Sequence, residues 1–161
     1  MFTFRQATPD DAEDIAAIVN LTSAGVVTHL FGGLVPGLSA ESILSVGFMK
    51  GHGPYHTNNV ILSGIRGRLT SLLFMYPASE HKVPILMASL MPAKRLKAVR
   101  PVLERGVPGS LYINTFWIAE ELRGNGHATA LMVEAVSRAR SLGLDRISLF
   151  CWNDNEPALH F

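Results

Sequence analysis

The sequence predicts one domain of the α/β class, and three observations support that prediction. The chain has 161 residues, which is the size of a single domain with a sizeable core. Residues 111–118 are uncharged and rich in β-branched and aromatic side chains, as in a buried strand. A glycine turn follows, and then an amphipathic helix through Ser141. We therefore expect strands and helices in one domain over residues 1–161.

The N-terminal region predicts a strand followed by a capped helix. Phe2 and Phe4 belong to an alternating strand that runs through Ala7. Residues 8–11 supply a capping threonine, a proline suited to the first turn and two carboxylates at the positive end of the helix dipole. The apolar stripe of this helix is Ile15, Ile18 and Val19.

Residues 25–54 are hard to assign, apart from a short helix beginning at residues 39–42. Residues 60–62 predict a short strand, residues 64–68 a turn, and residues 69–76 a longer apolar strand. This pair of strands is expected to form a hairpin.

Residues 78–109 read as an inserted connection with a basic centre. In the run 94–100, apolar residues recur at near-helical spacing, and Pro101 should break or restart any helix. Such a run is more often a solvated helix face than a contact with phosphate or an acidic partner.

After the long helix, Gly143 is expected to terminate it. Residues 146–152 then predict an interior strand in which Cys151 serves packing rather than nucleophilic chemistry.

Composition excludes several classes of protein. The net charge of +1 gives no reason to expect a nucleic-acid partner. A single cysteine excludes an internal disulfide and zinc-type spacing, so we expect no metal and a reducing cytoplasm. The N-terminus lacks signal-peptide features, and the uncharged run 15–40 is interrupted by glycine and proline, so no membrane span is expected.

The turn after the central strand is suited to binding phosphate. Gly124 and Gly126 permit positive φ, and the start of the next helix directs backbone N–H groups and the positive dipole end at one point. Taken alone, the same pattern also fits a plain strand–turn–helix with a structural Arg123.

The run Arg-Gly-Asn-Gly-His-Ala at residues 123–128 resembles the Arg/Gln-x-x-Gly-x-Gly/Ala motif of the GNAT superfamily of N-acetyltransferases, where it grips the pyrophosphate of acetyl-CoA. Residues 155–161, Asn-Glu-Pro-Ala-Leu-His-Phe, resemble the second signature of that family. The resemblance implies a mixed, mostly antiparallel sheet with helices on both faces, splayed at the Phe116 strand to admit acetyl-CoA as cosubstrate.

By resemblance, the backbone of Phe116 and Ile118 would pair with the pantetheine arm. Asn155 would orient that arm or the last helix, and the side chain of His127 could donate to a phosphate oxygen, although a variable loop position is the more common case. The cofactor-binding residues so implied are Phe116, Trp117, Ile118, Arg123, Gly124, Asn125, Gly126, His127, Ala128, Asn155 and Ala158.

The strand lacks the catalytic glutamate often found in the family. Tyr112 and Asn114 are the catalytic candidates, and alternation places them on the face of Phe116, where they would hold a water that accepts the proton of the amine. Glu120 and Glu121 are poor substitutes because they lie at the loop.

The acceptor is the least readable feature. The segments that would bind it contribute His29, His52, Tyr55 and His56 but few acids, which disfavours a polycation. A small amine, an amino acid or a protein N-terminus remains open, and the histidines are alternative bases.

The general-acid tyrosine of the family would follow Phe161 directly. The resemblance therefore implies a chain without its C-terminal strands, and the open sheet edge predicts self-association as a homodimer.

We expect an N-acetyltransferase that works by direct attack of a primary amine on the thioester. An acyl-CoA-binding or regulatory module without catalysis is a second hypothesis, favoured by the missing Tyr and Glu. A nucleotide-binding βαβ protein is a weaker third, because residues 8–11 replace the glycine fingerprint that should follow its first strand.

Overall fold

The structure is a computed structural model that describes residues 3–65 and 67–160, without the side chain of Pro157. Phe2 and Phe161 lie outside the described residues. The helices and strands, in chain order, are β1 (Arg5–Gln6), α1 (Ala12–Thr22), α2 (Val26–Phe31), α3 (Ala40–Lys50), β2 (Val60–Ile65), β3 (Arg68–Pro77), α4 (Ile85–Leu90), α5 (Ala93–Glu104), β4 (Ser110–Ile118), α6 (His127–Ser141), β5 (Arg146–Leu149) and α7 (Glu156–Leu159).

The described strands form one five-stranded sheet in the order β1-β2-β3-β4-β5. The first three pairings are antiparallel, and β4 pairs with β5 in parallel. The predicted mixed, mostly antiparallel sheet is therefore confirmed. The crossover from β4 to β5 passes through α6, as a parallel pair requires.

Helices cover both faces of this sheet, as expected. On one face, α1, α2, α3 and α5 enclose a core around Phe48, Phe74 and Tyr76. On the other, Leu131 and Ala135 of α6 pack on apolar residues of β3 and β4. We call these the α1 face and the α6 face. Two buried faces explain why β3 is apolar almost throughout.

The predicted N-terminal cap is present. Thr8 and Asp11 form a capping box around a 3₁₀ turn at Pro9–Asp11 that leads into α1. Asp11 also accepts two hydrogen bonds from the Arg5 guanidinium, at 2.6 and 2.8 Å. Ile15 is fully buried, so the predicted apolar stripe is confirmed. The bonds tie β1 to the start of α1.

The prediction that Pro101 interrupts its helix is wrong. The helix α5 continues through Pro101 to Glu104. A proline in the last turn removes one hydrogen bond. Leu96 is buried, and Val99 and Leu103 pack on the α1-face core, which retains the helix. Arg95 donates to the carbonyls of Leu30 and Gly32, so part of the basic run closes the end of α2.

The predicted interior strand over residues 146–152 is also corrected. Strand β5 ends at Leu149 and lies at the edge of the sheet, with Leu149 and Trp152 each 48% exposed. Cys151 follows the strand and is half-buried, not central in a buried strand. Apolar content cannot separate an edge strand from a central one.

Candidate active site

The turn between β4 and α6 is an exposed backbone loop. Gly124 and Gly126 have φ values of +74° and +76°, so both need glycine. Within the described residues, the backbone N–H groups of Gly124, Asn125, Gly126 and Ala128 donate no hydrogen bond. These donors lie at the N-terminal end of the 15-residue α6, where the helix dipole is positive. The loop therefore has the donors and the field that bind a phosphate.

Beside the loop, β4 loses its neighbour on one side. The parallel pairing to β5 ends at Ile113 and Leu149, and no described strand lies against the rest of that edge. Ala119 donates to Thr70 O on the β3 side, so alternation turns the carbonyl of Ile118 outward. There it accepts from Arg123 Nε at 3.2 Å. The loop and the open strand edge thus adjoin each other.

The expectation that Tyr112, Asn114 and Phe116 share one face of β4 is wrong. Phe74 pairs with Thr115 but Met75 with Ile113, so Asn114 is an extra residue in a β-bulge. The bulge reverses the alternation. Tyr112 belongs to the α1-face core, whereas Phe116 packs on the α6 face.

The bulged residue directs its side chain into a buried hydrogen-bond chain. Asn114 Nδ2 donates to Tyr76 Oη at 3.1 Å, and Tyr76 Oη lies 3.0 Å from His81 Nδ1. His81 Nε2 lies 3.2 Å from the carbonyl oxygen of Val102. A carbonyl only accepts, so Nε2 carries the proton, and in the neutral ring Nδ1 accepts from the Tyr76 hydroxyl.

Aromatic packing holds this chain in place. The ring of His81 lies on that of Tyr112 with a centroid distance of 4.0 Å and a tilt of 35°. Tyr76 and Tyr112 are 5.6 Å apart. Thr115 Oγ1 donates to Asn114 Oδ1 at 3.1 Å, which fixes the amide from its other side. Tyr112 and Asn114 therefore each contact Tyr76, a residue that was not predicted from the sequence.

Burial sets the protonation states of this cluster. Desolvation raises the pKa of Tyr76 well above its usual value and that of Tyr112 to about 12. Desolvation lowers the pKa of His81, opposed by its bond to Val102. At neutral pH both phenols are protonated and His81 is neutral, so the imidazole is the proton acceptor of the cluster.

We call the segment between β4 and α6, residues 119–126, the phosphate loop. The side chain of His127, the first residue of α6, does not face it. It is buried, with Nε2 3.3 Å from Ser63 Oγ and its ring edge-on to Phe4. Ser63 Oγ also lies 2.9 Å from Thr70 Oγ1 and 2.7 Å from Ser71 Oγ. The expected phosphate contact of the imidazole is thus corrected: at the start of α6 the ring lies on the core side, and only the backbone of this residue can face a ligand.

The remaining predicted residues lie in two places. Trp117 packs on the α1 face. Asn155 accepts from the N–H of Ala158 at 3.4 Å and so caps α7, which fits the predicted role in orienting the last helix. Within the described residues, no hydrogen bond joins Asn155 or Ala158 to the loop between β4 and α6. Glu121 is paired with Arg68 at 3.1 Å.

Tyr76 and His81 were not predicted as site residues from the sequence. Tyr76 ends an apolar strand and reads as core, and His81 lies in a connection without a motif. The one feature of the sequence that could have pointed to them is a titratable side chain, His81, five residues after a tyrosine in a predicted strand. Only the fold shows that Asn114 reaches the same point.

The described residues show neither a metal-type cluster nor a membrane-spanning helix. No group of three or more His, Cys, Asp or Glu side chains there is arranged to hold a metal ion. None of the described helices combines the length and apolarity needed to cross a membrane.

The comparisons with known proteins agree with this geometry. A crystal structure of an acetyltransferase superposes with a TM-score of 0.71 at 19% identity, covering 98% of this chain and 85% of that one. An N-acetyltransferase from Staphylococcus aureus Mu50 gives 0.65 at 22% identity, covering 98% and 86%. A predicted acetyltransferase from Clostridium acetobutylicum, solved with acetyl-CoA, gives 0.56 at 14% identity, covering 99% and 87%.

These likenesses show the fold, and no curated protein matches the sequence. The family model described as the acetyltransferase (GNAT) family matches residues 74–161, which is more than half of the chain. The matched part runs from β3 through the phosphate loop to α7 and contains the Tyr76, His81 and Asn114 cluster. The chain therefore belongs to the GNAT acetyltransferase family.

Proposed function

We propose that this protein is an N-acetyltransferase that transfers the acetyl group of acetyl-CoA to a primary amine by direct attack on the thioester. Membership of the family supports acyl transfer from acetyl-CoA in general. The observation that carries the proposal is the end of the β4–β5 pairing at Ile113, which leaves the rest of that β4 edge open within the described residues. This edge lies next to the loop whose backbone N–H groups donate no hydrogen bond there. A long, thin ligand with a phosphate end matches an open strand edge that leads to an anion site.

The residues present fit coenzyme A. The N–H groups of Gly124, Asn125, Gly126 and Ala128 would hold the pyrophosphate, and Arg123 would add charge at the junction of loop and strand. The backbone edge of residues 114–118 would pair with the pantetheine arm. An arm of this kind would bring the thioester to Asn114, where the strands separate.

Tyr112 and Asn114 remain the proposed catalytic residues on the α1 face of the bulge. Asn114 has a fixed amide whose Nδ2 donates to Tyr76, and it would position the amine and a water beside it. The pKa of Tyr112 is about 12, so its hydroxyl acts as a hydrogen-bond donor and not as a base.

The acceptor that we propose is a small amine or a peptide N-terminus. A small cleft of about 10 Å³, room for one water molecule, lies next to the cluster. It is lined by two aromatic residues, His81 and aliphatic or proline side chains, with Lys82 as the charged one among the described lining residues. Without a carboxylate there, a polycation has no partner. The single cysteine and net charge of +1 are consistent with our proposal of a cytoplasmic protein that binds no nucleic acid.

The test is turnover of acetyl-CoA across a panel of uncharged amines, amino acids, peptides and polyamines, measured as released thiol. We expect acetylated product from a monoamine or a peptide N-terminus and none from polyamines. A protein that binds coenzyme A but acetylates no member of the panel would instead support the second candidate, an acyl-CoA-binding or regulatory module. The absence of a carboxylate from β4 is the observation that favours this alternative.

A further inference from the structure

We propose that His81, acting through the Tyr76 hydroxyl, receives the proton that the acceptor amine loses. The proposal rests on the proposed acetyl transfer and names the proton acceptor that β4 itself lacks. His81 is a positioning residue in this scheme, because it acts through Tyr76 and not on the substrate.

The cluster has the connectivity of a proton relay. Asn114 donates to Tyr76 Oη, and the phenol donates to His81 Nδ1 over 3.0 Å. A phenol oxygen has two lone pairs, and Asn114 occupies one. The second can accept a hydrogen bond from an ammonium group placed beside Asn114, which is where β5 leaves β4. The relay thus begins at the proposed reaction point.

The other end of the relay stabilises a charged imidazole. His81 Nε2 donates to Val102 O, one of the last four carbonyls of α5, which have no partner within the helix. The negative end of a helix dipole favours a cation at this position. His81 can therefore hold a second proton briefly without losing either of its hydrogen bonds.

The ionisable groups around His81 leave it as the acceptor. Tyr76 of β3 and Tyr112 of β4 face it and stay protonated, mainly because burial raises their pKa values. The charge of Glu80, which directly precedes His81, raises the pKa of Tyr76 further. Tyr55, across the cleft, also has its pKa raised by burial, to about 12. The adjacent Lys82 is cationic, and it favours return of the proton to solvent.

The proton transfers balance. The ammonium nitrogen gives one proton to Tyr76 Oη while the phenolic proton moves to His81 Nδ1, leaving a neutral amine and an imidazolium. The amine lone pair forms the C–N bond to the thioester carbonyl. When the C–S bond breaks, the second nitrogen proton passes to the thiolate, and His81 releases its proton to solvent through the cleft that it lines with Lys82.

The experiment compares His81→Gln with wild type over the pH range, using the best amine of the panel. Gln retains a donor and an acceptor but does not titrate. We expect kcat to fall about 100-fold with an unchanged KM for acetyl-CoA, within the range for lost acid–base catalysis. The acidic limb of kcat/KM, expected below pH ~6.5 in wild type, should disappear. Tyr76→Phe tests the relay independently, because it keeps the ring and removes only the hydroxyl.

The matched control is His160→Gln, an exposed histidine after α7 that is not among the proposed binding or catalytic residues. It should keep both the rate and the acidic limb. If wild type turns over and His81→Gln or Tyr76→Phe keeps the wild-type kcat and acidic limb, the relay is wrong and the acetyltransferase assignment stands. If wild type binds coenzyme A and acetylates no amine, both proposals fail together.

Discussion

The phosphate loop and the Tyr76–His81–Asn114 cluster are both adjacent to β4, yet they are built in opposite ways. The loop is exposed, consecutive in sequence, and made of backbone donors whose side chains matter little. The cluster is largely buried, and its three residues come from different segments and meet through their side chains, with His81 also bonded to the backbone carbonyl of Val102. A backbone site should therefore tolerate changes of side chain but not of conformation. A site made of side chains should instead be sensitive to replacement of those side chains.

The largest effect is expected from Gly126→Val. At φ +76° a β-branched side chain is strained by about 1–3 kcal/mol, and its methyl groups would enter the space that a pyrophosphate needs. Coenzyme A should then no longer raise the melting temperature of the variant. For wild type, free coenzyme A at 100 times its Kd should stabilise the folded state by about 2.7 kcal/mol.

The control for this strain is Gly143→Val at the other end of α6. Gly143 has φ +69° and, like Gly126, open space around it. It should lose similar stability and keep its response to coenzyme A. Equal responses of Gly126→Val and wild type would remove the loop from the cofactor site.

A pair of asparagines provides the next contrast. Asn114→Ala should lower kcat about 10-fold or more while leaving KM for acetyl-CoA nearly unchanged, because its amide donates to Tyr76 at the reaction point. Asn125→Ala should leave both nearly unchanged, because the loop retains its backbone N–H. Steady-state kinetics of both variants measure this difference. A larger loss for Asn125→Ala would reverse our comparison.

The smallest effect is expected outside both regions. Asp11→Asn removes the charge partner of Arg5 and should cost about 1 kcal/mol of stability, with coenzyme A binding and the pH profile of kcat intact.

The Asp11 pair also has a defined pH dependence. The hydrogen bond from Arg5 lowers the pKa of Asp11 from 3.8 to about 2. Its contribution is therefore present above pH 3.8 and is lost as the pH falls through about 2. Denaturant titrations of wild type and Asp11→Asn should thus converge at low pH. A difference that persists there would assign the effect to packing.

The same contrast explains what could be predicted from sequence. The α/β class, the capping box at Thr8, and the end of α6 at Gly143 follow from local rules, and the structure agrees. The bulge at Asn114 does not, because one extra residue in a strand has no local signature and depends on its pairing with β3. Strict alternation therefore assigned Phe116 to the wrong face.

The predictions for the His127 side chain and for the β5 region were wrong for a related reason. An imidazole in a phosphate-type loop suggests a ligand contact, but packing on Ser63 and Phe4 decides its direction. Likewise, the position of β5 at the sheet edge depends on strand order, which the residues of β5 alone do not encode.

The hydroxyl group of Ser63 joins the β2–β3 hairpin to the first residue of α6. It bonds Thr70 and Ser71 across the hairpin and His127 at the loop, directly before an irregularity in the β2–β3 register at Gly64. Because one hydroxyl contacts both elements, we expect local opening of the hairpin to loosen the start of α6, and a ligand that holds the loop to make that opening rarer. Bound coenzyme A should therefore slow amide hydrogen exchange in β2 and β3, outside the β4 edge and the loop that we propose to bind it.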